Sequence, residues 1–374
     1  MKILFICGSL EPGRDGVGDY VRRLSAELIG QGHIIGAAAI NDRHATELSE
    51  HQGQASELTI LRLPASADEG QRFSQLKEFI GNFNPGWLSL QFVSFSFHPK
   101  GLVFGLAKKL AVAAGGRPWH IMFHEIWVGM TDQSSKKELV WGMMQRELIR
   151  GLIKKLKPAV IHTHTDLYKK RLEGLGAEVA LLPLFSNIPV MFPEKIREKV
   201  KQGIQAADPV GIVIFGGIHG GAPVKELVEE AQEYAAEHGT NLELVIVGRN
   251  GREQENWVKE WAGTKLRVTQ MGEQPAEKVS EILSRYELGI FTTPIALVEK
   301  SGSVAAMREH GIHLLCVSQP WDPRKINLNE NPFGILNYKK GNLATFLTSK
   351  PDFTYMPVLA DIAEKLITDL KTDN

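Results

Sequence analysis

Residues 210–221 read VGIVIFGGIHGG, and this stretch decides the fold. A short apolar run is followed at once by four glycines in six positions, and Lys225 then lies in a helical pattern. A buried strand that leads through a loop into a helix is the repeating unit of α/β proteins with parallel sheets. A backbone this bare lets a pyrophosphate approach closely, and Lys225 offers a counter-charge. The alternative is a flexible loop that binds nothing.

The same unit recurs on both sides of this stretch. The N-terminal half predicts strands at Lys2–Cys7, His33–Ala39, Leu58–Leu63, Trp87–Phe92, Trp119–Phe123, Ala159–Thr163 and Val179–Leu182. The C-terminal half predicts strands at Val210–Phe215, Leu242–Val247, Leu266–Met271, Leu288–Phe291 and His313–Val317. Amphipathic helical spacing separates most of them, which favours parallel sheets covered on both faces. We therefore expect an α/β protein with two Rossmann-like, doubly wound domains facing each other across a cleft.

Proline and charge mark the expected domain boundary. The segment after Leu184 contains Pro189 and Pro193 and the charged run EKIREKVKQ, which is typical of a linker. We predict an N-terminal, acceptor-side domain over 1–188, a linker over 189–208 and a nucleotide-sugar-binding domain over 209–350. The remainder, 351–374, predicts a C-terminal helix for which the N-terminal domain is the expected packing partner.

Composition excludes several classes of protein. The 374 residues exceed one ordinary core. The 43 basic residues balance the 43 acidic ones, which argues against a nucleic-acid binder. Cys7 and Cys316 stand alone in apolar runs, so reduced buried thiols are expected rather than zinc ligands. The apolar run Ile3–Cys7 is too short for a signal-peptide core, so we expect a cytoplasmic protein.

The loop GSLEPGRDGVGDY at 8–20 is a second glycine-rich turn between a strand and a helix. Gly16 and Gly18 let a ligand approach the helix N-terminus. The spacing does not complete a dinucleotide-binding fingerprint. The alternative is a tight turn in which Asp19 helps to cap the helix.

Histidines follow two of the predicted strands. His124 comes directly after Trp119–Phe123, where an imidazole can exchange a proton or bind a sugar hydroxyl. His120 is expected to be structural. His162 and His164 have a spacing that invites a metal site, but no further ligands are evident nearby, so we expect no metal and instead a cap at Thr165 or Asp166.

The segment FTTPIALVEKSGSV at 291–304 predicts an anion site at a helix N-terminus. Ser301 or Ser303 can cap the helix, and Gly302 gives access to its amides. Glu299 stands beside them and can hold sugar hydroxyls. The alternative is an ordinary helix cap.

A basic stretch runs from Lys136 to Lys157, with seven Lys or Arg against two Glu and apolar residues at helical spacing. We expect a surface helix that packs its apolar face on the sheet. Peripheral contact of 136–157 with anionic lipid is the alternative.

Taken in order, these segments resemble GT-B glycosyltransferases, especially those of family four. The resemblance rests on KILFICGSLEPGRDGVGDY, MFHEIW, VGIVIFGGIHGG, LVIVG at 244–248 and Gly272-Glu273-Gln274. It implies His124 near the reacting sugar, Glu299 on the donor sugar, Gly272 and Glu273 beside the nucleobase, and retention of configuration. Donor contacts are expected from Gly16, Gly18, Gly216, Gly217, Lys225, Gly272, Glu273, Ser301, Gly302 and Ser303.

The chain also departs from the family pattern. Ile218 stands about where the family has an arginine, and Met307 stands where it has a second glutamate.

The expected function is transfer of a sugar from a nucleotide-diphosphate donor to an acceptor that the sequence does not name: a glycan, a lipid or a small molecule. No D-x-D pair suggests a divalent ion, so neither a metal nor a cofactor is expected. The alternatives are a nucleotide-sugar 2-epimerase, a sugar phosphorylase and a non-catalytic nucleotide-sugar-binding protein on the same scaffold.

Overall fold

The computed structural model describes residues 1–51, 57–196, 209–328, 334–349 and 358–372. The chain divides into two compact units. The first contains Met1–Asn187, Pro323–Ile326 and the C-terminal helix, and the second contains the described residues of Ile188–Asp322 and Asn327–Met356. Of the predicted linker 189–208, residues 197–208 lie outside the described part of the chain.

An eight-stranded sheet forms the centre of the first unit, in the order β3-β4-β2-β1-β5-β6-β7-β8. Its strands are β1 Lys2–Cys7, β2 Ile34–Asp42, β3 Ser49–His51, β4 Thr59–Pro64, β5 Trp87–Phe92, β6 Trp119–Phe123, β7 Val160–Thr163 and β8 Ala180–Leu181. All neighbours pair in parallel except β3, which pairs antiparallel with β4. Every residue of β5 and β6 is buried, as expected for central strands covered on both faces.

Polar caps set where the helices of this unit begin. The helices are α1 Gly16–Gly30, α2 Glu69–Phe83, α3 Ser94–Phe97, α4 Leu106–Ala114, α5 Lys136–Leu156, α6 Asp166–Glu173 and the C-terminal helix, numbered α12, Leu359–Thr372. Asp15 accepts a hydrogen bond from the Gly18 amide, so it is Asp15 that caps α1. The expectation that Asp19 helps to cap α1 is wrong, because Asp19 lies inside the first turn and accepts from the Gly13 amide. Thr165 caps α6, as one of the two predicted candidates.

The C-terminal helix completes the core of the first unit. Its buried residues are Ile362, Ala363, Leu366, Ile367 and Leu370. They pack with buried residues of α1, such as Tyr20 and Leu24, on one face of the eight-stranded sheet. Because these residues recur at helical spacing, α12 buries its apolar face and exposes its opposite, polar face to solvent.

The second unit has a six-stranded parallel sheet in the order β11-β10-β9-β12-β13-β14. Its strands are β9 Val210–Phe215, β10 Leu242–Val247, β11 Arg267–Gly272, β12 Leu288–Phe291, β13 His313–Cys316 and β14 Leu336–Asn337. Its helices are α7 Val224–His238, α8 Glu253–Ala262, α9 Ala276–Leu283, α10 Gly302–Glu309 and α11 Leu343–Thr348, with a 3₁₀ helix over Ile295–Lys300. Trp257 and Trp261, one turn apart on α8, are fully buried in its core.

The α/β fold with parallel sheets is confirmed, and six strands match their predicted bounds: β1, β5, β6, β9, β10 and β12. The two described strands that the sequence did not predict, β3 and β14, are short and lie at sheet edges. Short edge strands bury little apolar surface, so they leave little periodic signal.

Candidate functional site

The strand order reverses beside β9, which pairs with β10 on one side and β12 on the other. In open α/β sheets, ligands bind where the loops after two such strands diverge at their carboxyl ends. The loop after β9 is the glycine-rich segment 216–221, and the segment after β12 leads through Thr292 and Thr293 to α10. The two segments singled out in the sequence therefore flank the switch point of this sheet.

Gly216 brings the glycine-rich loop against α10. Its φ is +86°, which favours glycine, and a Cβ atom placed there would lie 2.8 Å from the Cβ atom of Ser303. Gly248, after β10, has a φ of +104°, and a Cβ atom there would lie 3.3 Å from the Gly216 amide nitrogen. Three separate segments thus meet with little but backbone between them. Gly217 next in the loop has open space around it.

Asn250 locks the two glycine turns together. Its Nδ2 donates to the carbonyl of Gly216 at 2.6 Å and to that of Val247 at 3.2 Å. Its side chain is buried, and its Oδ1 has no hydrogen-bond partner among the described residues. Asn250 was not predicted, and its only signal in the sequence is its position three residues after a predicted strand.

The other side of the loop is held from β12. The amide of His219 donates to Thr292 Oγ1 at 2.7 Å, and the His219 ring Nδ1 lies 3.1 Å from the same oxygen. Burial and, next, the positive charge of Lys300 lower the pKa of His219. Lys300 is therefore a positive charge near His219 of the glycine-rich loop. Lys225, which was predicted as the counter-charge, is exposed in the first turn of α7.

Ser301 is the cap of α10. Its Oγ accepts from the Val304 amide at 3.4 Å and lies 3.2 Å from Ser303 Oγ. Thr293 Oγ1 donates to Ser301 Oγ at 3.5 Å, so hydroxyls line the start of the helix. A Cβ atom at Gly302 would meet nothing within 4 Å, so there is open space beside the start of α10. An open helix N-terminus surrounded by hydroxyls favours an anion.

The remaining predicted residues of the second unit lie at different depths. Glu299 is half-buried at the end of the 3₁₀ helix. Gly272 ends β11 with a φ of +64°, and Glu273 after it is paired with Arg249 at 3.3 Å. Two positions that depart from the family pattern, Ile218 and Met307, are both buried in apolar clusters. Ile218 and Met307 therefore serve the core in place of a charged side chain.

The loop after β1 is fixed by a buried carboxylate that the sequence analysis missed. Asp42 accepts from Ser9 Oγ at 2.9 Å, from the Leu10 amide at 3.2 Å and from Arg62 Nε at 2.8 Å. Burial alone would raise the pKa of Asp42, but these donors, led by Arg62, hold it below its ordinary value. Asp42 is thus an anionic anchor inside the unit.

Gly16 and Gly18 differ in their surroundings. Gly18 is buried, and a Cβ atom there would lie 2.7 Å from the carbonyl oxygen of Ser9, so this glycine lets α1 approach the loop. Gly16 is exposed, with open space around it. Only Gly16 therefore has room beside it for a ligand.

His124 lies beyond β6 and is 7% exposed. Its Nε2 lies 2.9 Å from Gln91 Oε1, and its Nδ1 lies 3.0 Å from Nε2 of His164. The ring of Tyr20 meets it edge to face, with centroids 4.9 Å apart. Both ring nitrogens are thus hydrogen-bonded in a buried polar cluster, which the sequence analysis did not foresee.

Helix α5 begins at a capping box of Ser135 and Glu138 and buries Ile149, Leu152 and Leu156. On its outer side Val140 and Met143 are more than half exposed, beside the basic residues of the same helix. Exposed apolar side chains among lysines and arginines are typical of surfaces that contact membranes.

Within the described part of the chain, no helix is long and apolar enough to cross a bilayer. The described residues also contain no group of three or more His, Cys, Asp or Glu arranged to hold a metal ion.

Solved structures show which fold class these two units define. The Anabaena protein HepE in complex with UDP-glucose matches with a TM-score of 0.55 at 13% identity, over 100% of this chain and 98% of that one. The lipopolysaccharide outer core galactosyltransferase WaaB in its apo form matches with a TM-score of 0.56 at 14% identity, over 100% of both chains. The UDP-GlcNAc 2-epimerase of Methanocaldococcus jannaschii matches with a TM-score of 0.55 at 10% identity, over 100% of both chains. No family model and no curated protein matches the chain.

The chain therefore has the fold with two Rossmann-like domains of the GT-B class. At these identities the likeness shows the fold alone, and the class holds both sugar transferases and an epimerase.

Proposed function

We propose that this protein is a GT-B glycosyltransferase that transfers a sugar from a nucleoside-diphosphate donor to an acceptor hydroxyl. The observation that carries the proposal is the meeting of Gly216, Gly248 and the Ser301–Ser303 turn at the switch point of the second sheet. Bare backbone, helix amides and hydroxyls at one point suit a diphosphate. WaaB is named a galactosyltransferase, and HepE is seen with UDP-glucose, which supports a nucleotide-sugar donor.

The residues have distinct roles in this proposal. The amides of α10 and the loop 216–221 bind the diphosphate, and Lys300 neutralises the charge that develops on it as the sugar leaves. In this proposal Gly272 and Glu273 contact the nucleobase, as the resemblance implies, and Glu299 holds hydroxyls of the donor sugar. His124 acts near the reacting sugar, in a reaction that retains configuration and uses no metal or cofactor.

The test is thermal stabilisation by UDP, GDP, ADP and TDP and by their sugars, each with and without magnesium. A ligand that binds only the native state raises its stability by mass action. We expect one diphosphate to raise the melting temperature equally with and without magnesium, and Ser301→Pro to abolish the shift. No shift with any nucleotide, in protein shown to be folded, would refute the proposal.

A 2-epimerase is the second candidate, because the Methanocaldococcus jannaschii enzyme matches the whole chain as well as WaaB does. The two candidates differ in what they need. An epimerase converts its nucleotide sugar with no acceptor present, whereas a transferase leaves the isomer unchanged. Proton NMR of the bound donor incubated with the protein alone separates them.

The buried Met307 favours a third candidate, a nucleotide-sugar-binding protein without turnover, because the resemblance places a carboxylate there. It would bind the donor, and no activity would depend on His124.

We also propose that α5 contacts an anionic membrane surface through its exposed Val140 and Met143 and its basic side chains. Such contact suits a cytoplasmic enzyme whose acceptor is membrane-bound.

A further inference from the structure

Exposed large apolar side chains are unevenly distributed over the chain. The turn before α4 exposes 66% of Phe104, the highest value for such a side chain among the described residues, and α4 itself exposes 61% of Val112. Helix α5 adds three more, Val140, Met143 and Met144. The others in the described part of the chain lie singly on separate segments, at Ile34, Leu48, Met191 and Val358. Single exposed apolar residues are ordinary, whereas a group of them marks an interaction surface.

The fold brings α4 and α5 to the same side of the first unit. Helix α4 connects β5 to β6 and α5 connects β6 to β7, and these three strands are neighbours in the sheet. Two right-handed crossovers that advance in the same direction cover the same face of a parallel sheet. The two helices also pack against each other. Their outer sides therefore form one surface, the α4–α5 face, which comprises residues 100–117 and 136–157.

Helical spacing turns the apolar side chains of this face outward. Helix α4 buries Leu106 and Leu110, whereas Lys108 and Val112, four residues apart on its other side, are exposed. The exposed apolar residues of α5 likewise lie opposite its buried ones. Each helix thus has one apolar side in the core and further apolar side chains on its outer side, which burial within the unit does not explain.

Positive charge is concentrated on the same face. Residues 100–117 and 136–157 contain eleven Lys or Arg against two Glu, although the chain as a whole has 43 residues of each sign. Both glutamates have partners on α5 or at its start, since Glu138 belongs to the capping box with Ser135 and Glu147 is paired with Arg150. The α4–α5 face therefore has an excess of nine positive charges in a chain with no net charge.

This combination fits one kind of partner. In a bilayer with anionic lipids, apolar side chains enter the acyl boundary while lysines and arginines meet the headgroups. A second copy of this chain would bring two equally positive faces together, and their repulsion opposes such a dimer. We propose that the α4–α5 face docks on an anionic bilayer and that Phe104 inserts among the acyl chains. The contact then extends beyond α5, and its most exposed apolar side chain precedes α4.

The docking face is continuous with the carboxyl edge of the first sheet. Each helix that follows a parallel strand begins at that edge, and Phe104 directly precedes the first turn of α4. Trp141 Nε1 donates to the carbonyl of Lys100 at 2.8 Å, and its ring meets Phe95 edge to face with centroids 6.1 Å apart. Phe95 lies in α3, directly after β5.

This continuity has a consequence for the acceptor. Open α/β sheets bind ligands at their carboxyl edge, so docking brings lipid headgroups beside a ligand-binding edge. The assignment of such a lipid as the acceptor rests on the proposed function. The docking itself is a property of the first unit and requires no nucleotide.

The test of insertion uses the full chain, without nucleotide, and vesicles of phosphatidylcholine alone or mixed with phosphatidylserine. Both native cysteines are buried, so Phe104→Cys can be labelled selectively with the environment-sensitive fluorophore NBD. With the mixed vesicles we expect the emission to shift to the blue and to be quenched by lipids that have a spin label on the acyl chain. Val358→Cys, at an exposed apolar position outside the face, is the control and should keep its emission.

Unlabelled variants measure how much each position contributes to binding. Phe104→Ser should weaken cosedimentation with the mixed vesicles about tenfold, and Val112→Ser should weaken it about threefold, with unchanged melting temperatures because both side chains are exposed. Val358→Ser, the matched control for Val112→Ser, should bind as the wild type does.

Three results would overturn the proposal. They are an unchanged NBD emission at position 104, equal losses in Val112→Ser and Val358→Ser, and a dimer in sedimentation velocity that Phe104→Ser dissociates, which would assign the face to a second copy of the chain. Nucleotide binding is measured separately by thermal melting. A protein that docks but binds no nucleotide therefore refutes only the proposed function, and one that binds a nucleotide but no vesicle refutes only the docking.

Discussion

Replacement of Gly216 by alanine tests whether close backbone contact forms the diphosphate site. The φ of +86° costs a residue with a Cβ atom about 1–2 kcal/mol. The new methyl group would also lie 2.8 Å from the Cβ atom of Ser303, closer than real Cβ contacts allow, so the start of α10 has to shift. We expect the free energy of unfolding to fall by about 1–2 kcal/mol and nucleotide affinity to fall about tenfold, which is about 1.4 kcal/mol.

The assay is thermal melting with and without the diphosphate that stabilises the wild type most. At a ligand concentration of about 100 Kd, binding adds about 2.7 kcal/mol, and a tenfold loss of affinity leaves about half of that. Gly217→Ala is the matched control, because Gly217 has open space around it and a φ outside the left-handed region. The reasoning is refuted if Gly216→Ala keeps the full ligand-induced shift, or if Gly217→Ala loses as much of it.

Three other predictions concern separate parts of the chain. Lys300→Ala should weaken diphosphate binding about tenfold and raise the pKa of His219 in an NMR titration, because a nearby positive charge is lost. Lys225→Ala should change neither quantity, and equal effects of the two substitutions would contradict the role proposed for Lys300. The contribution of His162 to the free energy of unfolding should fall by about 3 kcal/mol between pH 8 and pH 4, because the unfolded ring takes up a proton near pH 6.5 and the folded ring only near pH 4. Urea titrations of the wild type and of His162→Gln measure this contribution, and an equal pH dependence in both proteins would refute the prediction. The wild type should sediment with phosphatidylserine vesicles and less with phosphatidylcholine ones, and Met143→Ser should bind the former more weakly; no preference for anionic vesicles would exclude the contact through α5.

The parts of the fold that the sequence predicted are those in which a local pattern and burial agree. β9 and β10 are largely apolar runs, and both are central strands with the expected bounds that pair with a neighbour on each side. The Ser301 cap follows from local spacing as well, since a cap bonds within one turn of its own helix. These features are predictable because the residues that cause them lie within a few positions of one another.

The features that the sequence analysis missed depend on residues far apart in the chain. The side-chain amide of Asn250 donates to the carbonyl of Gly216, 34 positions earlier in the sequence. Lys300 lowers the pKa of His219, from which it is separated by about 80 positions in the sequence. Neither interaction therefore has a local signal. The assignment of Lys225 to the diphosphate rests on nearness in sequence and stays a prediction, whereas the effect of Lys300 on the pKa of His219 is visible only in the structure.

The two contacts between buried histidines, His162 with His120 and His164 with His124, are the strongest case of this kind. His120 and His124 are four residues apart in the sequence, and Ser89 and Gln91 are two apart. Such spacings alone predict only that the side chains lie on one face of a strand. These contacts form only because the register places β5, β6 and β7 side by side and because α12 brings Asp369 to His162. Asp369 Oδ2 lies 2.9 Å from His162 Nε2, although 207 positions separate the two residues in the sequence. The surroundings of these buried histidines are thus set by the topology of the sheet, and no local pattern predicts them.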